Sequence, residues 1–308
     1  MRIVFMGTTY FSNVVLQTLI DEGYDVVGVV TQPDRKQGRK RILTPPQTKV
    51  LAEKYGIPVL QPERIRDEYE PVLNLKPDCI VTCAYGQIIP KEIIDYPPLK
   101  CLNVHASILP KYRGGAPIHK AIMNGEKETG VTLMHMDEGM DTGDMLAIQK
   151  VSIDHEDTFG DVEAKLMDAS VTLIKEDFKA YLKGDLEAVK QDDDKATYAY
   201  AIKREEEFVS FKKDIDSIYN HIRGMIPWPV SYGVLDNQNI KFHGVKMERK
   251  DHNFELGEVI DVTEVGVFVA VLGGIIKLTS VQPANKPKMK NIDVVNGYRD
   301  SWKGRRFE

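Results

Sequence analysis

The chain has 308 residues, of which 42% are hydrophobic and 28% are charged, and its formal net charge is −5 at pH 7. This length allows one large or two ordinary domains, and the composition is that of a globular protein whose core needs no disulfide or metal support. A negative net charge argues against a protein that coats nucleic acid without specificity, but a local basic patch remains compatible with it.

The N-terminus does not read as a signal peptide, and no run of about 20 apolar residues occurs in the chain. The three cysteines, Cys79, Cys83 and Cys101, lie in apolar runs and lack the CxxC spacing of a zinc ribbon. We therefore expect buried free thiols, no membrane association and a cytoplasmic protein. A monomer is the simplest expectation for its oligomeric state.

Strand-like and helix-like segments alternate in the first half of the chain. The strand-like runs are RIVFMG, DVVGVVT, IPVL, PDCIVTCAYG, CLNVHAS and GVTLMHM, with helix-like runs such as FSNVVLQTLIDEG and TKVLAEKYG between them. A long amphipathic helix is predicted over residues 158–184, with Thr158 at its start and Gly184 at its end. This alternation predicts an α/β fold with a doubly wound, mostly parallel sheet, whose ligands bind beyond the carboxyl ends of the strands.

The residue pattern of the sequence changes after the predicted long helix. A polar stretch that starts with KQDDDKAT predicts a linker over residues 190–205. Beyond it, Gly, Asn and Asp separate the short runs VSYGVL, NIKFHGV, GEVIDVTE, GVFVAVLG and GIIKLTSVQP. Several short strands in sequence are typical of a small closed or partly closed barrel. We expect an α/β domain over residues 1–189 and a β-rich, OB-like barrel domain over residues 206–308.

The stretch CLNVHASILPKYRGGAPI, residues 101–118, departs from the pattern of a buried strand. Asn103 and His105 are two residues apart, so they point to the same face of a strand that is normally apolar on both faces. An internal hydrogen-bond network is one interpretation of this pair. A site for acyl-type transfer is the other, because amide and imidazole donors suit the oxygen of a tetrahedral intermediate.

A carboxylate partner for the pair is available in HMDEGMDTGDM, residues 135–145, which follows the next strand. Neighbouring strands tend to place their loops side by side, so Asp141 or Asp144 is expected within reach of His105. A carboxylate there would hold the orientation of the imidazole ring. The alternative for any one of these acids is an acidic turn exposed to solvent.

The spacing of these residues gives less support to a metal site, a hydrolase triad or a dinucleotide site. Neither His119 nor His135 forms an HxH or HExxH pattern with His105, so we expect no metal. A Ser–His–Asp hydrolase using Ser107 would normally carry a GxSxG elbow, which the chain lacks. Gly7 follows a strand without the GxGxxG pattern, so a dinucleotide site is only weakly supported.

Three segments, AYGQIIP, LNVHASILPKYRGGAPI and MDEGMDTGDML, resemble the formyltransferase family that uses 10-formyltetrahydrofolate. The family pattern of Asn-x-His on a strand and Asp in a following loop falls on Asn103, His105 and Asp141. The basic loop QPDRKQGRKRILTPP and the β-rich C-terminal part resemble the members that act on methionyl initiator tRNA. Two departures, GTTYF at residues 7–11 for GTPDF and SILP at residues 107–110 for SLLP, leave the three catalytic matches intact.

The resemblance implies a Rossmann-like formyltransferase fold and a defined reaction. The α-amine of methionyl initiator tRNA attacks the formyl carbon of the co-substrate 10-formyltetrahydrofolate, giving N-formylmethionyl-tRNA for translation initiation. Asn103 would donate to the oxyanion, His105 would stabilise it and pass protons, and Asp141 would steady His105. The implied folate-binding residues are Gln87, Ile88, Ile89, Ser107, Ile108, Leu109, Pro110 and Asp137. The implied tRNA-binding residues are Arg35, Lys36, Arg39, Lys40, Arg41, Lys286, Lys288 and Lys290.

Rival functions remain open at this point. A formyltransferase acting on a nucleotide-linked amino sugar or on glycinamide ribonucleotide would share the three catalytic residues, but it should not need the basic loop at residues 35–41. A hydrolase of formyltetrahydrofolate would use water as the nucleophile. A non-catalytic RNA-binding module would keep the basic patches and tolerate the loss of Asn103 or His105.

Overall fold

The computed structural model describes residues 1–38 and 41–308, and this part of the chain divides into two compact units. Unit 1 comprises Met1–Pro117, Thr129–Val151 and Glu163–Ala199, and unit 2 comprises Ile118–Glu128, Ser152–Val162 and Tyr200–Glu308. The boundaries of these units differ from the predicted domain boundaries. Two short segments within the predicted first domain, Ile118–Glu128 and Ser152–Val162, belong to unit 2. Residues 190–199, predicted as linker, belong to unit 1, since the Ala199 amide donates to the Arg113 carbonyl at 2.7 Å.

The strands form two main sheets and one small ribbon. In chain order they are β1 (Arg2–Gly7), β2 (Asp25–Val30), β3 (Arg35–Gln37), β4 (Ile42–Thr44), β5 (Val59–Leu60), β6 (Cys79–Cys83), β7 (Cys101–His105), β8 (Glu128–His135), β9 (Met145–Ser152), β10 (Tyr232–Leu235), β11 (Gln238–Glu248), β12 (Val259–Thr263), β13 (Gly266–Val271) and β14 (Gly274–Pro283). The first sheet has the order β5-β2-β1-β6-β7-β8-β9, and the second has the order β10-β11-β14-β13-β12.

The first sheet is mostly parallel, as predicted. Strands β1, β2, β5, β6 and β7 pair in parallel, whereas β8 runs antiparallel to β7. The central strand β6 is buried along its whole length, which explains its nearly continuous apolar sequence. The antiparallel β8 matters for function because it determines where the loop that follows it begins.

The helices lie between the strands. They are α1 (Tyr10–Asp21), α2 (Gln47–Lys54), α3 (Glu70–Asn74), α4 (Lys91–Ile94), α5 (Pro117–Met123), α6 (Phe159–Thr172), α7 (Lys179–Lys183), α8 (Ile215–Arg223) and α9 (Asn291–Trp302). A π-helical stretch, Leu173–Phe178, joins α6 to α7, so the predicted long helix is one continuous helical run that ends at Gly184. In the part of the chain that is described, no helix combines the length and apolar character required to cross a bilayer.

The predicted basic loop is partly a β-ribbon. Strands β3 and β4 pair antiparallel, with Lys36 opposite Leu43, and Arg41 adopts a left-handed backbone conformation with φ of 50° just before β4. The Pro, Gly and charged residues of this segment predicted a loop. Part of it instead forms two short paired strands. Arg39 and Lys40, two of the predicted tRNA-binding residues, lie outside the described residues.

The second sheet belongs to unit 2 and is closed by the C-terminal segment. The edge strand β10 meets this segment through a bridge from Leu235 to Phe307, and the edge strand β12 meets it where the Val259 amide donates to the Arg305 carbonyl at 2.8 Å. The Phe307 ring is buried and stacks on Phe211, with 4.7 Å between ring centroids. Because one segment pairs with both edges, the strands enclose an apolar core. The predicted β-rich C-terminal domain is confirmed.

The three cysteines are buried and free, as their apolar surroundings predicted. Burial raises the pKa of the Cys79 and Cys83 thiols to about 12, and it also raises that of Cys101. These thiols therefore stay protonated at neutral pH, where only a thiolate is strongly nucleophilic. They act as core side chains rather than reactive groups.

Candidate active site

The three predicted catalytic side chains meet in unit 1. Asn103 and His105 come from β7, and Asp141 comes from the loop between β8 and β9. The Asn103 Nδ2 atom lies 3.4 Å from Asp141 Oδ1, and the His105 Nδ1 atom lies 3.6 Å from Asp141 Oδ2. The chain therefore places an amide, an imidazole and a carboxylate around one point.

The loop that carries Asp141 approaches Asn103 and His105 from a different direction than predicted. Since β8 is antiparallel to β7, its last residue, His135, lies opposite Leu102 and not beyond the carboxyl end of β7. The next residue, Met136, donates its amide to the Cys101 carbonyl at 2.8 Å. The loop thus begins beside the amino-terminal end of β7, and Asp141 reaches Asn103 and His105 because the loop returns toward them.

His105 is 6% exposed and has two distinct ring nitrogens. Nε2 lies 3.0 Å from the Tyr112 carbonyl oxygen. A carbonyl only accepts hydrogen bonds, so Nε2 carries a hydrogen in either protonation state of the ring. Nδ1 is then the nitrogen that gains or loses a proton, and it is the one that faces Asp141. A backbone contact thereby fixes which ring atom is available for proton transfer.

Asn103 is oriented by a neighbour that sequence reasoning missed. Thr82 on β6 lies opposite Asn103 in the sheet register, and its hydroxyl donates to Asn103 Oδ1 at 2.8 Å. The Asp141 carboxylate only accepts hydrogen bonds, so it takes the Nδ2 side of the amide, and the carbonyl side then faces the Thr82 hydroxyl. The only sequence signal was a polar residue inside an apolar strand, and its partner depends on strand register.

Asp141 occupies a left-handed backbone conformation, with φ of 53°. Non-glycine residues rarely adopt it, although Asp tolerates it better than most, and such conformations concentrate at functional sites. The Gly114 amide donates to Asp141 Oδ2 at 2.8 Å, which holds the carboxylate. Gln191 holds the backbone of the same residue, because its side-chain amide donates to the Asp141 carbonyl. The other candidate acid, Asp144, instead uses its carbonyl to pair with the His135 amide at 2.9 Å.

The predicted folate-binding segment after β7 is only partly open. Ser107 and Leu109 are buried, and the Ser107 hydroxyl donates to the Lys111 carbonyl at 2.7 Å. Ile108 and Pro110 are partly exposed. Their side chains are therefore more available to a ligand than those of Ser107 and Leu109, which stabilise the segment from inside.

The second predicted folate-binding segment follows β6. Ile88 is 89% exposed, whereas Ile89 is buried. The Gln87 side chain accepts a hydrogen bond from the Ile65 amide at 2.9 Å, so it stabilises the segment around Ile65. Ile88 is thus the side chain of this segment that is most accessible to an apolar part of a ligand.

The third predicted folate-binding site, Asp137, shapes the loop that carries Asp141. Its carboxylate accepts from the Thr142 hydroxyl at 2.7 Å and from the Gly139 amide at 3.0 Å. Glu138 in the same loop pairs with Lys91 at 2.6 Å, and this exposed contact links the loop to the segment after β6. The loop that carries Asp141 therefore lies next to the segment after β6.

A cavity of about 380 Å³ lies beside the loop between β8 and β9. Its lining residues are His135, Met136, Asp137, Thr142, Gly143, Asp144, Lys190, Gln191 and Asp193. Neither Asn103 nor His105 lines it. Among residues 1–38 and 41–308, no group of three or more His, Cys, Asp or Glu side chains is arranged to hold a metal ion.

The predicted tRNA-binding residues that the structure describes lie at the surface. Arg35 pairs with Glu63 at 3.1 Å, both side chains being largely exposed, and Lys36 and Arg41 are exposed as well. Lys286, Lys288 and Lys290 are exposed in the segment between β14 and α9 of unit 2. Exposed ion pairs contribute little stability, so Arg35 can exchange Glu63 for another anion at small cost.

The comparisons with known proteins agree with this architecture. Residues 1–176 match the model of the formyl transferase family, and residues 201–299 match the model of the formyl transferase C-terminal domain. The methionyl-tRNA formyltransferase of Bacillus licheniformis is 50% identical over 299 residues, which is 96% of this chain and 95% of that protein.

Solved structures share the fold at lower identity. HypX from Aquifex aeolicus, crystallised with tetrahydrofolic acid, has a TM-score of 0.69 and 17% identity over 98% of this chain and 48% of its own. The methionyl-tRNA formyltransferase from Clostridium thermocellum has a TM-score of 0.56 and 20% identity over 80% of this chain and 94% of its own. The two domain matches define the class of protein, a formyl-transferring enzyme with its C-terminal domain. Given the identity to the Bacillus protein, the chain belongs to the methionyl-tRNA formyltransferase family, as the sequence motifs indicated.

Proposed function

We propose that this protein transfers the formyl group of 10-formyltetrahydrofolate to the α-amino group of methionyl initiator tRNA. The observation that carries the proposal is the convergence of Asn103 and His105 on the Asp141 carboxylate, at 3.4 and 3.6 Å, in a chain that belongs to this family. The product is N-formylmethionyl-tRNA, the substrate of translation initiation.

The reaction assigns a role to each of the three residues. An α-amino group has a pKa of about 7.7–8.0, so part of it is the free nucleophile at neutral pH. As it attacks the formyl carbon, the carbonyl oxygen becomes negative and Asn103 Nδ2 donates to it. The proton lost by the amine passes through His105 Nδ1, whose orientation Asp141 maintains. The bond from carbon to folate nitrogen then breaks, and that nitrogen takes up a proton as tetrahydrofolate leaves.

Two features support the tRNA acceptor over an amino sugar or a glycinamide ribonucleotide. One is the basic β3–β4 ribbon with its exposed Lys36 and Arg41, and the other is the appended barrel of unit 2. Lys and Arg contacts to phosphates supply affinity for nucleic acid, and barrels of this kind bind oligonucleotides. A small nucleotide-linked acceptor requires neither feature.

Single-turnover formyl transfer tests the proposal. The protein is mixed with 10-formyltetrahydrofolate and methionyl initiator tRNA, and formylmethionine on the tRNA is followed with time. Uncharged tRNA, an amino-sugar nucleotide and water alone serve as the competing acceptors. Rapid transfer to the charged tRNA alone supports the proposal. Folate turnover with the sugar or with water, but none with tRNA, would replace it with one of the rival functions.

Charge reversal at Arg41 is expected to raise KM for the tRNA about tenfold and to flatten its dependence on salt. The physical reason is the loss of a phosphate contact, each of which contributes about one unit to the slope of log affinity against log salt. The measurement is KM for tRNA between low and moderate salt for Arg41→Glu. Lys183→Glu, an exposed reversal at the end of α7, is the matched control. Equal KM values for the two variants would remove the ribbon from the tRNA interface.

The proposal also places the protein in the cytoplasm, where charged initiator tRNA and reduced folates occur, and it takes the enzyme to be a monomer. One active site in unit 1 supplies all three proposed catalytic side chains, so the chemistry does not require a second copy. Sedimentation is expected to give a mass near 34.9 kDa. A concentration-independent mass of twice that value would contradict the monomer.

A further inference from the structure

Gln191, which lies in the stretch predicted as a linker, is 5% exposed and contacts the turn that carries Asp141. Its Nε2 atom donates to the Asp141 carbonyl at 2.8 Å and to the Gly143 carbonyl at 2.7 Å. Both amide hydrogens are therefore used, and the two acceptors flank Thr142. One side chain thus spans the whole turn.

The orientation of this amide is enforced by Arg113, which is only 2% exposed. Arg113 Nε and one of its terminal nitrogens donate to Gln191 Oε1 at 3.0 and 2.8 Å. A guanidinium has no acceptor, so the oxygen of the Gln191 amide must face it and the nitrogen must face the turn. Charge-assisted contacts of this kind are stronger than neutral ones.

The same short segment also holds the other end of Asp141. Gly114, next to Arg113, donates its amide to the Asp141 carboxylate at 2.8 Å. The carboxylate is thus held directly by Gly114, and the carbonyl is held by Arg113 through Gln191. This double support explains how Asp141 keeps its left-handed conformation while facing His105.

We propose that Gln191, oriented by the buried Arg113, is a positioning residue for formyl transfer: it fixes the turn at residues 141–143 so that the Asp141 carboxylate faces His105. The inference rests on the proposed function. Gln191 touches no reacting atom, so its contribution appears in the rate of the chemical step rather than in tRNA binding.

Gln191→Glu is the sharpest test. The new side chain keeps an acceptor for Arg113 but places a carboxylate oxygen against the Asp141 and Gly143 carbonyls, where a donor was. We expect kcat to fall about 10- to 100-fold, the size of effect that a displacement of about 1 Å produces in an active site. KM for tRNA should stay within about threefold, since the predicted tRNA-binding residues are unchanged.

A matched control exists in β9. Gln149 Nε2 donates to Asp177 Oδ2 at 2.7 Å, so Gln149→Glu also replaces a donor with a carboxylate that faces an oxygen. It should lower thermal stability at least as much as Gln191→Glu while leaving kcat within about twofold. The comparison separates loss of positioning from loss of stability.

Each outcome decides between the alternatives. A selective fall in kcat for Gln191→Glu, absent in Gln149→Glu and shared by the uncharged Gln191→Met, supports the inference. It is overturned if kcat is unchanged, if KM and thermal stability move in parallel with kcat, or if neither Gln191 variant folds, which indicates a purely structural role. Absence of tRNA formylation by the wild-type protein contradicts instead the proposed function.

Discussion

Asn103→Ala is expected to lower kcat for formyl transfer by about 10²–10³, the cost of removing one donor to a developing oxyanion. The wild-type amide is held by Thr82 on one side, so its Nδ2 hydrogens are already oriented before substrate arrives. Such preorganised donors act most strongly in the transition state. KM for tRNA should therefore change little. Single-turnover rates with 10-formyltetrahydrofolate and methionyl initiator tRNA measure the effect.

His105→Ala provides a parallel measurement at the same site. It removes Nδ1, the nitrogen that faces Asp141, and we expect a loss of about 10²–10⁴, as is typical of general acid–base groups. Thermal unfolding and tRNA binding of both variants serve as controls. If folding or tRNA affinity declines as much as the rate, the pair stabilises structure and its catalytic assignment fails.

Gly143→Ala is expected to slow the enzyme strongly for a purely steric reason. A Cβ at this position would lie 2.0 Å from the His135 carbonyl oxygen, a backbone atom that cannot rotate away. The turn at residues 141–143 must therefore shift, and Asp141 shifts with it. We expect kcat to fall about 100-fold and the free energy of unfolding to decrease by about 1–3 kcal/mol. Single-turnover kinetics and urea unfolding measure the two effects.

Gly297→Ala is the matched control for this substitution. Gly297 lies on the exposed side of α9, and outside its chain neighbours and the helix backbone no atom lies within 4 Å of the position of its missing Cβ. Alanine there should stabilise the helix by about 0.5–1 kcal/mol and leave kcat unchanged. Full activity in Gly143→Ala would show that the turn relaxes without moving Asp141, contrary to the positioning argument.

Much of the site was accessible from the amino-acid sequence because its signals are local. Side chains two apart in a strand share a face, so Asn103 and His105 were expected to act together. The alternation of apolar runs and amphipathic helices predicted the mostly parallel sheet, and the strand-like runs beyond residue 206 predicted the β-rich unit. These patterns depend on periodicity within a few residues.

The choice between Asp141 and Asp144 was different. Composition placed both acids in one loop, and only the family resemblance favoured Asp141. The structure distinguishes them because Asp141 presents its carboxylate to Asn103 and His105, whereas Asp144 pairs its backbone with His135. The antiparallel direction of β8, on which this loop geometry depends, has no signature in its own sequence.

The residues that orient the catalytic side chains, Thr82 and Gln191, could not be predicted from local sequence patterns because their partners are distant in the chain. Thr82 is 21 residues from Asn103 along the chain, and Gln191 is 50 residues from Asp141. Gln191 sits in a polar stretch whose composition indicates a linker, yet Arg113 and backbone pairing bury it in unit 1. The sequence by itself determined the elements, the polar pair on β7 and the family, because those depend on short-range periodicity and on contiguous motifs. The tertiary structure alone decided the strand register, the direction of β8 and the partners of Asp141, because hydrogen bonds between distant segments form only when the whole sheet is assembled.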